Sequence, residues 1–101
     1  MSAEEFVTMD ENLVGPVIRC GDLAEAVIDA VIEDNPEREV MIFERGDYVR
    51  IHTERVCRLT RASMEKHLGR AFDLAMIEVE MPSFKGRMQS STEQMRWYYV
   101  S

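Results

Sequence analysis

The stretch "LVGPVIRCGDLAEAVIDAVIEDNP", residues 13–36, decides the fold, because an apolar, β-branched segment gives way within it to a segment of helical spacing. Residues 13–20 are rich in valine and isoleucine and predict a strand, which Gly15-Pro16 either starts or bends at a sheet edge. From Leu23 onward apolar residues recur every three or four positions, and acidic residues occupy the opposite face. We expect Asp22 to be the N-cap of this helix and Asn35-Pro36 to end it.

Further along the chain, three segments predict an antiparallel meander. "EVMIF" (39–43) and "YVRIHT" (48–53) flank "ERGD" (44–47), which is typical of a hairpin turning near Gly46, and "VCRL" (56–59) follows as a third strand. Thr60 then predicts the N-cap of a short helix over about 61–68, which Gly69 ends in a left-handed conformation.

The remaining segments complete an α+β domain. "LAMIEVEM" (74–81) alternates and predicts a strand, "PSFKGR" (82–87) a loop and "MRWYYV" (95–100) a closing strand. The predicted order is β-α-β-β-β-α-β-β, a single compact domain over residues 12–101 with largely antiparallel sheets and two helices. Residues 1–11 lack periodicity and predict a flexible, acidic N-terminal arm.

Charge is distributed unevenly over the 101 residues, which have a formal net charge of −7. Residues 1–44 carry 12 acidic and 2 basic residues, whereas residues 45–101 carry 7 acidic and 10 basic residues. Nucleic acid is therefore a poor candidate partner, because phosphate binding needs a dense basic face. Charge of one sign steers molecular encounter, so a protein partner with a basic docking surface fits better.

No segment predicts a membrane span or a signal peptide. The longest uncharged apolar runs, such as the one in "VMIFE" (40–44), are far shorter than the roughly 20 residues that a span needs. The N-terminus "MSAEEFVTMDEN" is acidic where a signal peptide would be basic and then apolar. We expect a soluble cytoplasmic protein that is a monomer when free.

The residue pattern indicates no catalytic or metal site. His52 and His67 have no second ligand at helical spacing, so structural roles are expected for both. Cys20 and Cys57 lie in apolar contexts that predict two reduced core thiols, with a disulfide or a catalytic cysteine as the minority alternatives. No serine lies in a Gly-x-Ser-x-Gly elbow, and the glycines do not have nucleotide-binding spacing. We therefore expect a protein without a cofactor that is not an enzyme by itself.

Several ordered motifs resemble one known family. Leu68-Gly69-Arg70-x-Phe72-Asp73 is similar to a turn of the effector (coupling or regulatory) proteins of soluble bacterial di-iron monooxygenases. "NLVGPVIRCGDL" (12–23), "DNPEREV" (34–40), "ERGDYVRI" (44–51) and "SFKGRMQ" (83–89) resemble further segments, nearest those of the toluene monooxygenase effector. The likeness covers residues 12–100. It implies a regulatory component, free of cofactors, that binds the hydroxylase near its active site during oxidation of aromatic hydrocarbons or alkenes.

The resemblance also implies which residues face the hydroxylase. The candidates are Asn35, Pro36, Arg70, Met81, Pro82, Ser83, Phe84, Gly86 and Arg87. For Phe84, contact with the partner and local packing both remain open from the residues alone, while Met81 and Met88 are candidates for adaptable contact surface. The alternative from another class is a stand-alone α+β interaction or ligand-sensing domain.

Overall fold

The computed structural model describes residues 12–100, so the predicted arm over residues 1–11 lies outside the described residues. Within them the chain forms three helices and seven strands. The helices are α1 Asp22–Asp34, α2 Arg61–Leu68 and α3 Ala75–Val79. The strands are β1 Leu13–Arg19, β2 Met41–Arg45, β3 Tyr48–Glu54, β4 Val56–Thr60, β5 Ser83–Lys85, β6 Arg87–Ser90 and β7 Gln94–Tyr98. The predicted α+β class is confirmed.

The strands form two antiparallel sheets, one with the order β2-β3-β1-β5 and the other with the order β4-β7-β6. The predicted hairpin at Gly46 joins β2 to β3, with Arg45 opposite Tyr48. The meander was wrong beyond that point, because β4 pairs with β7 instead of β3. The cause is Arg55, whose φ of 70° redirects the chain between β3 and β4.

The prediction that Pro16 lies at a sheet edge or strand start was also wrong. Strand β1 is internal, between β3 and β5, and Pro16 is buried in its middle. The missing N–H is tolerated because the pairing of β1 with β3 is interrupted at this point: Val14 pairs with Thr53 and Val17 with Arg50, and neither Gly15 nor Pro16 pairs with β3.

The core lies where the inner faces of both sheets meet the apolar face of α1. On the second sheet Trp97 lies between Cys57 and Met88 in register, and Trp97 and Cys57 are fully buried. Helix α1 supplies Val27 and Val31, which are also fully buried. The apolar periodicity of residues 23–31 therefore identified the buried helix face correctly.

The ends of two helices follow local sequence signals. Thr60 caps α2 by accepting a hydrogen bond from Ser63 N at 3.1 Å, and Gly69 ends α2 with a left-handed φ of 73°, both as predicted. The predicted cap of α1 was wrong: the N-cap is Gly21, at a φ of 147°, and Asp22 is the first helical residue. As a first-turn residue, Asp22 still interacts favourably with the helix dipole.

Two predicted elements in the last third of the chain were wrong. Residues 75–79 form helix α3 instead of a strand, with Leu74 and Ile77 buried three positions apart. The carboxylate of Asp73 favours this turn by accepting a hydrogen bond from Ala75 N at 3.0 Å. The predicted loop over residues 82–87 contains β5 and the start of β6.

Candidate functional site

The segment of β5, Gly86 and β6 joins the two sheets, and we call it the hairpin for its turn at Gly86, although its two strands pair with other strands and not with each other. Strand β5 pairs with β1 in the first sheet, whereas β6 pairs with β7 in the second, so the chain changes sheets at Gly86. Gly86 has a φ of 95°, and an added Cβ would lie 2.7 Å from Tyr98 O and 2.7 Å from Val14 Cγ1. Glycine is required here because the backbone passes close to two neighbouring strands of its own domain.

Most predicted partner-facing residues of this segment lie on the surface. Pro82, Ser83 and Arg87 are exposed, and the side chain of Phe84, opposite Pro16 at the sheet edge, is 39% exposed. Met81 is partly buried against the core. The hairpin therefore presents an aromatic side chain, Phe84, and an exposed cation, Arg87, and both residue types are enriched in protein interfaces.

A groove of about 430 Å³ adjoins the hairpin. One wall is the turn from β1 to α1, and the other is the segment from Arg70 through α3 to Glu80. Two contacts of Arg19 hold the walls together: its backbone N–H donates to Glu80 O at 2.9 Å, and its Nε lies 3.3 Å from the Glu80 carboxylate. The groove ends at Glu80 and β5 begins at Ser83, so the groove and the hairpin are neighbours along the chain, and we call them together the groove–hairpin surface.

The second wall of the groove begins at the turn that carries Arg70. Gly69 N–H donates to Glu65 O at 2.8 Å, and the Glu65 carboxylate accepts a hydrogen bond from Phe72 N at 2.9 Å. Phe72 packs against the core, as expected from the sequence. The Arg70 guanidinium is exposed and lies 5.8 Å from the Phe72 ring centre, within the range of a cation–π contact.

The groove also contains two apolar residues that the sequence did not identify as surface groups. Met76 is 53% exposed and Val79 is 69% exposed, and both line the groove from α3. They were missed because this segment was assigned to a strand. The spacing of Leu74 and Ile77, which is helical, together with Asp73 before them, is the signal that could have shown it.

Asn35 and Pro36 lie apart from the groove–hairpin surface and differ from each other. Pro36 is exposed, whereas Asn35 is fully buried at the end of α1. The Asn35 side chain donates to Val31 O at 2.7 Å and to Arg58 O at 2.8 Å, and it accepts from Arg58 N at 3.1 Å. With all of these contacts made inside the domain, Asn35 has a structural role in this conformation.

Titratable groups in the described residues do not form a reactive centre. Burial raises the pKa of the Cys57 thiol to about 12, so it stays protonated at neutral pH. Cys20 is exposed, which corrects the prediction of two core thiols, and both cysteines are free. His52 is buried on β3, and His67 is 2.9 Å from the Glu33 carboxylate. Within residues 12–100, no three His, Cys, Asp or Glu side chains lie together as a metal site.

None of the described helices has the length and apolar character that a bilayer crossing requires.

Comparison with known sequences establishes the family. The chain belongs to the MmoB/DmpM family, which matches residues 12–98. It is 75% identical to an alkene monooxygenase system effector subunit from Xanthobacter autotrophicus (strain ATCC BAA-1158 / Py2), over the whole length of both chains. It is also 28% identical to DmpM, the stimulatory component of phenol 2-monooxygenase from Pseudomonas sp. (strain CF600), over 82% of this chain and 90% of that one.

Solved structures show the same fold. A chain in the structure of a phenol hydroxylase–regulatory protein complex matches with a TM-score of 0.77 and 25% identity, over 87% of this chain and 99% of that one. Regulatory protein B of soluble methane monooxygenase matches with a TM-score of 0.65 and 18% identity, over 88% of this chain and 66% of that one. The second likeness concerns the fold alone.

Proposed function

We propose that this chain is the effector component of a multicomponent monooxygenase that oxidises alkenes, and that it acts in the cytoplasm. The observation that carries the proposal is the 75% identity to an alkene monooxygenase effector subunit, over the whole length of both chains. The chain is a non-catalytic component, in keeping with the regulatory and stimulatory relatives of its family. Of the two substrate classes that the resemblance implied, aromatic hydrocarbons and alkenes, this identity favours alkenes.

The groove–hairpin surface is the proposed contact with the hydroxylase component. It combines exposed apolar groups at Met76, Val79 and Phe84 with the cations Arg70 and Arg87. Apolar anchors supply most binding energy at interfaces, and arginines at the rim add directional pairing with carboxylates. Within this set Gly86 acts by shaping the hairpin, and Met81 by supporting it from the core side.

Binding at this surface would regulate the hydroxylase through contact alone. The family resemblance implies a site of action near the di-iron centre of the hydroxylase, where a bound effector adjusts the helices that carry the metal ligands. In the present chain, β5 is three residues long and lies at the edge of the first sheet, and β6 lies at the edge of the second, so the hairpin is at the margin of both sheets. The alternative of a stand-alone sensing domain has no observation in its favour.

The test is a titration of the purified protein into alkene, phenol and toluene hydroxylases, each supplied with its reductase. Product formed and electrons consumed are measured together. We expect a saturable rise in product per electron with the alkene hydroxylase, and a weaker response with the others. An unrelated acidic protein of similar size is the control. Equal behaviour of this protein and the control with all three hydroxylases would contradict the proposal.

A further inference from the structure

The second sheet has a buried face and an outer face. Side chains alternate along its strands, so the residues on either side of the buried ones project outward. Five of these outward residues form what we call the arginine face: Arg58 on β4, Arg87 and Gln89 on β6, and Arg96 and Tyr98 on β7. Arg87 and Gln89 are exposed, and the other three are partly exposed. The outer side of the sheet therefore presents cations together with an aromatic ring.

Strand register brings the three arginines together around Arg96. Arg58 is its direct cross-strand partner on β4, and Arg87 on β6 is opposite Tyr98, two residues from Arg96. Direct cross-strand partners have Cβ atoms about 4.5–5.5 Å apart and diagonal neighbours about 7–8 Å apart, so long side chains at these positions can reach a common ligand. Like charges directly opposite each other destabilise a sheet. The cluster therefore does not serve the stability of the sheet.

One carboxylate of the described chain pairs with the arginine face. Glu37 lies 3.2 Å from Arg58 Nη2, but it also pairs with Arg38. Within residues 12–100, no carboxylate forms an ion pair with Arg87 or Arg96. Two positive charges of the face are thus available to carboxylates of another molecule.

Neighbouring side chains hold Arg96 in position. Its guanidinium lies 4.6 Å from the centre of the Tyr98 ring, and its Nη2 donates to Gln89 Oε1 at 2.9 Å. A guanidinium that is already oriented loses less conformational entropy on binding, and most of its five N–H donors stay available. Because the guanidinium fork matches the two oxygens of a carboxylate, the face is suited to Asp or Glu side chains of a protein.

We propose that the arginine face binds a carboxylate-bearing segment of the hydroxylase, with Arg96 and Arg87 as its cationic contacts. The inference rests on the proposed function. Arg87 belongs to the groove–hairpin surface as well as to the arginine face, so one partner can cover both. Residues 45–101 carry 10 basic and 7 acidic residues, so the face lies in the part of the chain with a positive excess. The net charge of the whole chain favours a basic partner surface, whereas at this face the partner surface is acidic.

The first test compares Arg96→Gln with the wild type, both full-length, in titrations of the alkene hydroxylase. At low salt we expect the variant to half-saturate product formation at a concentration about two- to fivefold higher, the effect of losing one exposed ion pair. The difference should shrink at about 0.15 M salt, where the Debye length is about 8 Å. Phe84→Ala, whose proposed contact is apolar, should keep its effect at both salt concentrations.

Two further variants complete the first test. Arg87→Gln should resemble Arg96→Gln, and it decides the question if Arg96→Gln does not fold. The control Lys66→Gln makes the same change of charge on α2, outside the arginine face, and should half-saturate like the wild type. Wild-type behaviour of both arginine variants at low salt would overturn the proposal. An equal loss in Lys66→Gln would also overturn it, because the effect would then come from net charge alone.

The second test needs no hydroxylase. An oligoglutamate peptide is titrated into the full-length protein at low salt, and amide NMR spectra are recorded. We expect shifts at Gln89, Arg96 and Tyr98 that are absent in Arg96→Gln. Shifts confined to other residues, or shifts that persist in Arg96→Gln, would overturn carboxylate recognition by this face. If no hydroxylase responds to any version, the proposed function fails, while the peptide titration still decides whether the face binds carboxylates.

Discussion

Asn35 forms hydrogen bonds in both directions with the backbone of Arg58: its Oδ1 accepts from Arg58 N at 3.1 Å, and its Nδ2 donates to Arg58 O at 2.8 Å. The preceding residue, Asp34, accepts from Thr60 N at 2.7 Å and from Ser63 Oγ at 2.6 Å. Two consecutive side chains at the end of α1 therefore fix β4 and the start of α2. This junction links the helix to the second sheet.

The first prediction concerns Asn35→Ala. The change would leave the N–H and C=O of Arg58 without their side-chain partner at a part-buried position, and we expect a loss of about 2–4 kcal/mol in the free energy of unfolding. Urea unfolding measures it. The control is Pro36→Ala at the exposed neighbour, for which a change within about 0.5 kcal/mol is expected. A stable Asn35→Ala protein that no longer activates a hydroxylase would instead support the partner-binding role implied by the family resemblance.

The second prediction compares Gly86→Ala with Gly46→Ala. Both glycines have positive φ, 95° and 60°, but only Gly86 has backbone and side-chain atoms within 4 Å of the added Cβ. We expect Gly46→Ala to cost about 1 kcal/mol from backbone strain alone, and Gly86→Ala to cost clearly more because β1 or β7 must move. Equal losses in thermal unfolding would show that the close approach at Gly86 is unimportant.

The third prediction concerns pH. Hydrogen bonds from Lys66 and His67 lower the pKa of Glu33. A carboxylate whose pKa is lower in the folded state stabilises the fold above its unfolded pKa, about 4.3, and that stabilisation is lost as the pH falls through the folded value. At pH 7 the wild type should therefore be more stable than Glu33→Gln. Below about pH 4 this advantage should shrink, because the Glu33 carboxylate becomes protonated.

Unfolding midpoints of both proteins between pH 3 and pH 7 would measure this trend. The matched control is Asp29→Asn, one turn earlier on α1, which has no ion pair within the described residues. If the difference in unfolding midpoint between the wild type and Glu33→Gln stays constant with pH, the Glu33 carboxylate is not the source of the stabilisation.

The fourth prediction concerns the N-terminal segment. A chain that begins at Asn12 should fold, with a free energy of unfolding within about 1 kcal/mol of the full-length value, because the described part of the chain, residues 12–100, already contains an extensive core of buried residues between Val14 and Trp97. A larger loss on truncation would mean that the segment contributes to the core.

Local signals predicted the elements whose form depends on neighbouring residues. The periodicity of α1, the Thr60 cap and the Gly69 stop all depend on contacts within a few residues, and each was read correctly. The pairing of β4 with β7 and the internal place of Pro16 depend on segments about 40 and 70 residues away along the chain, as the registers show. No local pattern reports such distant pairings.

The candidate site was predictable in part for the same reason. The segment around Phe84 is marked by its sequence as an apolar group among turn-forming residues, and the structure places it at the surface. Asn35 was also a candidate, because the family resemblance includes the end of α1. Its side-chain amide instead forms hydrogen bonds with the backbone of Arg58 in β4. Met76 and Val79 were missed because a five-residue helix such as α3 contains few periods, so its helical signal, the spacing of Leu74 and Ile77 after Asp73, is weak beside the alternating pattern.

The fifth prediction tests the groove–hairpin surface through Phe84→Ala, with Ile42→Ala as the matched control. The two side chains are 39% and 42% exposed and lie on β5 and β2, the opposite edges of one sheet. Each change should cost about 1 kcal/mol or less in urea unfolding, since neither residue is in the core. Only loss of Phe84 should remove an anchor from the proposed interface.

The decisive measurement is the concentration of each protein that half-saturates product formation by the alkene hydroxylase. The account predicts that Phe84→Ala raises this concentration by an amount equivalent to about 1–3 kcal/mol of binding, whereas Ile42→Ala leaves it at the wild-type value. A Phe84→Ala protein that half-saturates like the wild type, with unchanged coupling of electrons to product, would contradict the assignment of this surface to the hydroxylase.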